Sequence, residues 1–241
     1  MLTSTRGIVL NFVKYGEGSV IVNIYTKAFG RQAYMMNAVR GKKSKNKAGL
    51  LQPLFLVDLA GYQKATREIQ RVKEIKNVPV YQNIPFEISK STQSLFIAEM
   101  LSKTLREQES SPSLFQFLEN AFLYFDLMEG NAANFHLWFL YRLTGYLGFL
   151  PDVRKTGFEG WFDMRKGAVV PFEPPHPFFA KKTATDTLCV LANMSIRDVA
   201  SWKISGSLRT YLTTVMVEYY QLHFEGLGTI KSLKVLQEVF Q

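Results

Sequence analysis

The first 80 residues alternate short β-type runs with turn signals, and this pattern constrains the fold more than any other feature of the chain. Runs rich in β-branched and apolar residues, separated by glycine-containing breaks, fall at 3–13, 19–26, 31–39, 54–60 and 68–77. Five short strands in so few residues predict a small closed barrel. The oligonucleotide-binding (OB) fold is the leading candidate for it.

The hydrophobic period changes near Ile88, from about 2 to that of an amphipathic helix. Helices are predicted at 89–108, 113–128, 132–147, 185–193, 195–202, 207–223 and 232–240. The helix at 132–147 is apolar over most of its circumference and should be buried by its neighbours. Residues 149–182 contain five prolines and predict an irregular connector. The fold class is therefore α+β multidomain, with a five-stranded OB barrel at 1–80 followed by an all-helical domain at 81–241.

Positive charge is concentrated in the predicted barrel. Residues 1–80 carry 14 Lys and Arg against 4 Asp and Glu, whereas residues 81–241 carry 15 against 16. Five cations lie within eight residues of one loop, at Arg40, Lys42, Lys43, Lys45 and Lys47. An exposed cluster of this kind favours a polyanionic partner, because each cation placed on a phosphate releases counterions. A merely solvated basic loop is the alternative that spacing alone leaves open.

The last predicted strand and its approach add further cations. Arg67, Arg71 and Lys73 lie there, and Val72 alternates with its charged neighbours as on a sheet with one wet face. Tyr25, Phe29 and Tyr34 offer aromatic faces on or next to strands, on which single-stranded bases could stack. Burial in the core is the competing interpretation for each of these rings.

Several short segments match one known family in order and spacing. They are Tyr15–Ser19, Thr26–Arg31, Ala38–Arg40 with Lys43 and Ser44, Leu51–Pro53, Gly145–Phe149, Phe162 and Asp163 with Gly167, and Leu227–Leu236. Over nearly the whole chain this pattern resembles the bacterial DNA-repair family RecO.

The resemblance implies a non-enzymatic role, and no cofactor is expected for this chain. Proteins similar to this bind single- and double-stranded DNA, anneal complementary strands, and with RecR help RecA replace single-strand-binding protein (SSB) on gapped DNA. The expected DNA-binding residues are Arg31, Tyr34, Arg40, Lys42, Lys43, Lys45, Lys47, Arg67, Arg71 and Lys73.

The resemblance further implies that the helical domain holds the acidic, apolar C-terminal tail of SSB. Such a task needs an apolar pocket rimmed by cations. The candidate residues are Lys103, Arg106, Arg142 and Arg209, and Arg142 is the first choice because it interrupts an otherwise apolar helix. A surface arginine paired with a carboxylate is the alternative interpretation of Arg142.

Many members of that family carry four cysteines and zinc in the region equivalent to 152–180, and this chain has none there. Asp163 and His176 remain, but one carboxylate and one imidazole do not make a tetrahedral zinc site. The sequence therefore predicts a metal-free connector packed by aromatic rings. The rings are those of Trp161, Phe162, Phe172, Phe178 and Phe179. The single cysteine, Cys189, is expected to be a buried structural thiol.

No Gly-rich phosphate loop, HExxH, GxSxG or paired-carboxylate motif is present, so enzymatic function is not expected. No apolar run has the length of a membrane span, and a cytoplasmic, nucleoid-associated protein is expected. Two other classes remain open. One is an RNA- or ribosome-associated OB protein, and the other is an interaction scaffold whose basic loop meets an acidic protein.

Overall fold

A computed structural model describes residues 1–37, 49–64, 66–106, 108–153 and 160–240. The chain forms two compact units, Met1–Leu127 and Met128–Gln241. In its described residues, the first unit thus contains two long helices in addition to the barrel. The domain boundary that the sequence predicts near residue 80 stays a prediction. It differs from the boundary between these two compact units.

The five predicted strands form a closed barrel, which confirms the OB-type prediction. Their neighbour order is β1-β2-β3-β5-β4, and β4 pairs again with β1. Only the pairing of β3 with β5 is parallel. The strand bounds are β1 Leu2–Tyr15, β2 Ser19–Thr26, β3 Gly30–Met36, β4 Leu56–Tyr62 and β5 Ile69–Asn77.

Alternation along the strands fills the barrel with apolar side chains. In β2, Val20, Val22 and Ile24 are buried while Ile21 and Asn23 are partly exposed. Strand side chains point to opposite faces with a period of two, so one set fills the interior and the other faces outward. The β-type pattern seen in the sequence therefore arises from a single closed core.

Two helices of the first unit pack on the barrel. They are α1, Ile88–Thr104, and α2, Pro112–Leu127. Arg6 on β1 donates hydrogen bonds to Asp58 at 2.9 Å and to Glu119 on α2 at 2.8 Å. The ring of Tyr25 stacks on that of Phe115 with centroids 6.3 Å apart. Barrel and helices therefore share both polar and apolar contacts.

The chain between β5 and α1 is fixed by one buried carboxylate. Asp126, only 3% exposed, accepts hydrogen bonds from the backbone N–H groups of Gln82, Asn83 and Ile84 at 2.8–2.9 Å. Its own backbone oxygen accepts from the Lys90 ammonium at 3.0 Å. A carboxylate that satisfies three backbone donors holds this turn against the end of α2.

The second unit is mainly helical. It contains a 3₁₀ turn at Ala132–Asn134 and the helices α3 Phe135–Tyr146, α4 Lys182–Asn193, α5 Gly206–His223 and α6 Ser232–Val239. Helix α3 is buried along most of its length, as its apolar circumference predicted. The Tyr220 hydroxyl on α5 donates to the backbone oxygen of Leu140 at 2.8 Å, which joins the two central helices.

Two sequence-based expectations differ from the structure of this unit. The predicted helix at 195–202 is a series of turns. The Asp198 carboxylate accepts bonds from both the backbone N–H and the hydroxyl of Ser195, and such local bonds compete with a helical ladder. The predicted irregular connector contains a small sheet of order β7-β6-β8, with β6 Trp161–Asp163, β7 Ala168–Val170 and β8 Phe179–Ala180.

The aromatic rings of this small sheet pack as expected, with one exception. Phe162 is fully buried with its ring centroid 5.4 Å from that of Tyr219, and Trp161 meets Phe179 edge to face at 5.2 Å. Phe178 lies under the Arg165 guanidinium at 4.8 Å. Phe172 is 81% exposed, so its predicted packing role is wrong. A proline-rich turn on the surface gives its side chain nothing to pack against.

Candidate nucleic-acid interface

Five cations near β5 point into solvent. Lys64 and Arg67 precede the strand, Arg71, Lys73 and Lys76 lie on it, and all five are exposed. None of these side chains makes a hydrogen bond or ion pair with a residue that the structure describes. Cations without protein partners are available for an anion in solution, so this strand is the core of the candidate interface.

The β4–β5 pairing sets the spacing of these cations. Tyr62 lies opposite Arg71 and Asp58 lies opposite Lys76. Between these pairs the register shifts, so that Lys73 is the extra residue of a β-bulge. A bulge twists a strand and re-aims its side chains. The alternation of charged residues noted in the sequence is therefore interrupted at Lys73, which is one of the residues predicted to bind phosphate.

A groove of about 740 Å³ runs beside the cationic half of β5. Its walls come from β1, β4, β5 and the end of β3. The lining residues are Ser4, Thr5, Met36, Asn37, Asp58, Leu59, Ala60, Val72, Lys73, Glu74, Ile75 and Lys76. Its two lysines are matched by two carboxylates, those of Asp58 and Glu74, and Asp58 is paired with Arg6 at 2.9 Å.

The basic loop cations Arg40, Lys42, Lys43, Lys45 and Lys47 lie outside the described residues. The residues that flank the loop are described. Asn37 lines the groove and accepts a hydrogen bond from the Ser19 hydroxyl at 3.3 Å. The backbone oxygen of Leu50 accepts from the Asn77 amide at the end of β5, also at 3.3 Å. The described residues on both sides of the loop thus contact the barrel strands near the groove.

Two predicted DNA-binding residues, Arg31 and Tyr34, make contacts within the first unit. The Arg31 guanidinium donates to the backbone oxygens of Ser102 and Leu105 at 2.6 and 3.2 Å, and it therefore caps the end of α1. Burial, followed by the nearby Arg106 charge, lowers the Arg31 pKa. Tyr34 is 1% exposed, and burial raises the pKa of its hydroxyl to about 12. A ring enclosed by the barrel cannot stack on a base, so this structure does not offer the Tyr34 ring to DNA.

The other two aromatic candidates offer little more. Tyr25 is 3% exposed and is covered by Phe115, while Phe29 is only partly exposed in the β2–β3 turn. The structure instead exposes a tyrosine that the sequence reasoning missed, Tyr62 at the end of β4. The signal was present in the alternation of Leu56–Tyr62, which places Tyr62 on the same outward face as Asp58 and Ala60.

The four predicted tail-binding cations are divided between the two units. In the first unit, Lys103 pairs with Glu99 at 3.8 Å, and the exposed Arg106 donates to the backbone oxygen of Lys103 at 2.9 Å. Both lie at the same end of α1 as the carbonyls that Arg31 caps. The structure thus brings these two residues together with Arg31.

In the second unit, Arg142 and Arg209 both donate to uncharged oxygen atoms of the protein. Arg142 donates to the Met194 oxygen at 2.5 Å, beside the Trp138 indole, which donates to the same oxygen at 3.1 Å. Arg209 donates to the Asn134 amide oxygen at 2.8 Å, and burial lowers its pKa. The carboxylate partner considered for Arg142 is replaced by a backbone carbonyl.

Within the described residues, no group of three or more His, Cys, Asp or Glu side chains is arranged to hold a metal ion. Asp163 and His176 do meet, at 3.3 Å, and the backbone N–H groups of Arg165 and Lys166 also bind Asp163. Among the helices that the structure describes, none is long and apolar enough to cross a membrane.

Comparison with known proteins agrees with the architecture of the chain. The family model described as recombination protein O N terminal matches residues 1–81, and that described as recombination protein O C terminal matches residues 85–234. Similar proteins named DNA repair protein RecO occur in Phocaeicola vulgatus, Bacteroides fragilis and Flavobacterium psychrophilum. Each is 32% identical to this chain over 240 or 241 residues, with 100% of both chains covered.

The closed barrel, the exposed cations of β5 and the helical second unit define a class of proteins in which an OB-fold barrel with a cationic face is followed by helices. The family matches make the assignment specific. The chain belongs to the recombination protein O (RecO) family.

Proposed function

We propose that this protein is a DNA-binding recombination mediator. Membership of the RecO family supports a role in DNA repair. The observation that carries the proposal is the set of exposed cations without protein partners on and before β5, at Arg67, Arg71 and Lys73. Lys73 also lines the groove of about 740 Å³, as does Asn37, which precedes the basic loop in the chain.

In the proposed mechanism, the β5 cations and the loop cations contact the phosphates of two complementary strands. Neutralising both strands lowers the electrostatic repulsion that opposes their pairing, and annealing becomes faster. Phosphate contacts carry no base information, so binding is largely independent of sequence. The mechanism needs no nucleophile, general base or metal ion, and we propose a non-catalytic protein without a cofactor.

The partners in this proposal are single- and double-stranded DNA, the C-terminal tail of SSB, and RecR. Through them the protein helps RecA replace SSB on single-stranded DNA. An acidic, apolar tail requires cations beside apolar surface. Arg142, which is partly exposed and donates to the Met194 oxygen, remains our first choice. Lys103, Arg106 and Arg209 are the other candidates. The proposed place of action is the cytoplasm, at the nucleoid.

A fluorescent SSB-tail peptide tests the tail site directly. Arg142→Ala is expected to weaken peptide binding at least several-fold, whereas the control Arg197→Ala, an exposed arginine of the same unit, leaves it unchanged. Equal binding by both variants would move the site away from α3. If Arg106→Ala then weakens peptide binding, the tail site lies in the first unit.

The central test is a strand-annealing assay with complementary oligonucleotides, bare or coated with SSB. The protein is expected to accelerate annealing of both, and added tail peptide should slow only the SSB-coated reaction. Arg71→Ala/Lys73→Ala should slow both reactions, whereas Arg197→Ala/Lys203→Ala removes the same charge from exposed sites in the second unit and should slow neither.

Two outcomes of this assay contradict the proposal. No acceleration and no DNA binding at moderate salt would favour an interaction scaffold with an acidic protein partner. Tighter binding to structured RNA than to DNA, without annealing, would favour an RNA- or ribosome-associated role.

A further inference from the structure

Tyr62 is an exposed aromatic residue at the edge of the cationic face. It ends strand β4 and is 48% exposed, although β4 pairs with strands on both sides. Its side chain makes no hydrogen bond or ring contact with any residue that the structure describes. A tyrosine ring this exposed presents a large apolar face to solvent and is not stabilised by packing in the core.

Strand register determines what lies beside this ring. Tyr62 is opposite Leu2 on β1 and opposite Arg71 on β5. Directly opposed residues of antiparallel strands share a face, with Cβ atoms about 4.5–5.5 Å apart. The ring is therefore flanked by an apolar side chain, 45% exposed, on one side and by a guanidinium without a protein partner on the other.

The backbone beneath Tyr62 is held firmly. A Cβ atom on the preceding Gly61 would lie 3.3 Å from the Tyr34 ring and 3.1 Å from the Arg71 backbone oxygen. The buried Tyr34 ring thus packs closely against the strand at Gly61. The backbone that carries Tyr62 is fixed from below by this ring and from both sides by strand pairing.

The charge around the ring selects its partner. Four cations follow the end of β4 in the sequence, at Lys64, Arg67, Arg71 and Lys73. The acidic residues of that stretch are Glu68 and Glu74. An apolar ring among cations suits a ligand that combines a flat aromatic face with a neighbouring phosphate group. Unpaired nucleotides have both, whereas the bases of a duplex are already stacked on each other.

We propose that Tyr62 is a stacking platform for an unpaired base of single-stranded DNA, with Arg71 holding the adjacent phosphate. This inference rests on the proposed DNA-binding function and adds a residue that distinguishes single strands from duplex. In annealing, the platform engages a strand before pairing and releases it once the base enters the duplex.

The test compares Tyr62→Ala, Tyr62→Phe and Tyr15→Ala by fluorescence anisotropy with a labelled oligothymidine and a duplex of equal length. Tyr15 is a matched control, since it is 53% exposed and lies at the other end of β1 from Leu2. Tyr62→Ala should weaken binding to oligothymidine about 10-fold and binding to duplex less than about 2-fold. Tyr62→Phe and Tyr15→Ala should bind both as the parent protein does.

A second readout identifies the contact itself. An oligothymidine with one 5-iodouracil should photo-crosslink to Tyr62, detected by mass spectrometry of the tryptic peptides. Parent-like binding of oligothymidine by Tyr62→Ala, or an equal loss on both DNAs, overturns this inference and leaves DNA binding intact. Failure of the parent protein to bind either DNA overturns the proposed function and this inference with it.

Discussion

The guanidinium of Arg31 on β3 donates a hydrogen bond to the backbone oxygen of Ser102, 2.6 Å away at the end of α1. A second bond reaches the backbone oxygen of Leu105 at 3.2 Å. Helix ends leave carbonyls without partners, and a cation from the barrel satisfies two of them here. A basic residue that the sequence places on the DNA surface thus joins the barrel to its first helix.

Arg31→Ala is therefore expected to destabilise the first unit by about 2 kcal/mol, because two charge-assisted hydrogen bonds are lost. Amide hydrogen exchange of peptides from β3 and α1 measures the effect. Arg71→Ala, an exposed arginine without a protein partner, is the matched control and should change stability by less than about 0.5 kcal/mol. Unchanged exchange in Arg31→Ala together with a weaker salt dependence of DNA binding would return Arg31 to the interface.

Asp126→Ala should be among the most damaging single changes in the first unit. It leaves the backbone N–H groups of Gln82, Asn83 and Ile84 without their acceptor, and we expect a loss of more than about 3 kcal/mol. Urea unfolding followed by far-UV circular dichroism gives the change. Glu68→Ala, a carboxylate removed from an exposed site, should be nearly neutral. If both variants unfold at the same urea concentration, the buried carboxylate is not what fixes this turn.

We expect His136 to make the second unit sensitive to acid. Burial, followed by the nearby Arg209 charge, lowers its pKa from 6.5 to about 3. The unfolded chain therefore takes up this proton first, and stability that is complete above pH 6.5 falls as the pH drops toward 3. Between pH 7.5 and pH 5 the loss from this group is about 2 kcal/mol.

Trp fluorescence during urea unfolding measures this loss, since all three tryptophans, at 138, 161 and 202, lie in the second unit. His136→Gln retains an amide that can bond the Thr213 hydroxyl, which is 2.9 Å from the imidazole, and removes the titration. The variant should lose about 2 kcal/mol less than the parent over the same pH interval. Equal losses would show that His136 does not control the acid sensitivity.

The basic loop can be tested independently of its conformation. Replacing Lys42, Lys43, Lys45 and Lys47 together by Ala should reduce the slope of log K against log salt for single-stranded DNA by about 3, since each phosphate contact contributes about 0.7. The corresponding quadruple Lys→Arg variant keeps the charge and should keep the slope. An unchanged slope in the alanine variant would remove the loop from the mechanism.

The sequence predicted the elements of this fold well because local periodicity determines them. All five strands and most helices begin and end within a few residues of their predicted bounds. The exception at 195–202 arises from side-chain bonds between Asp198 and Ser195 that replace helical ones. Hydrophobic period does not report such bonds.

The candidate site was less predictable because it depends on which face of each strand is covered. Alternation shows that Arg31 and Tyr34 point in opposite directions, but not that the barrel closes over Tyr34 or that α1 packs at Arg31. Likewise, the alignment of Tyr62 with Arg71 follows from a register that includes a bulge at Lys73. Pairings between distant residues of this kind leave no local signal in the sequence.

The measurement that tests the account most directly is the salt dependence of single-stranded DNA binding by Arg71→Ala/Lys73→Ala. If β5 binds phosphates, this variant should reduce the slope of log K against log salt by about 1.4, which corresponds to two lost contacts. The control Arg197→Ala/Lys203→Ala, with the same change in net charge, should keep the parent slope. Parallel slopes for the parent and both variants would contradict the claim that the cationic face of β5 is the DNA interface.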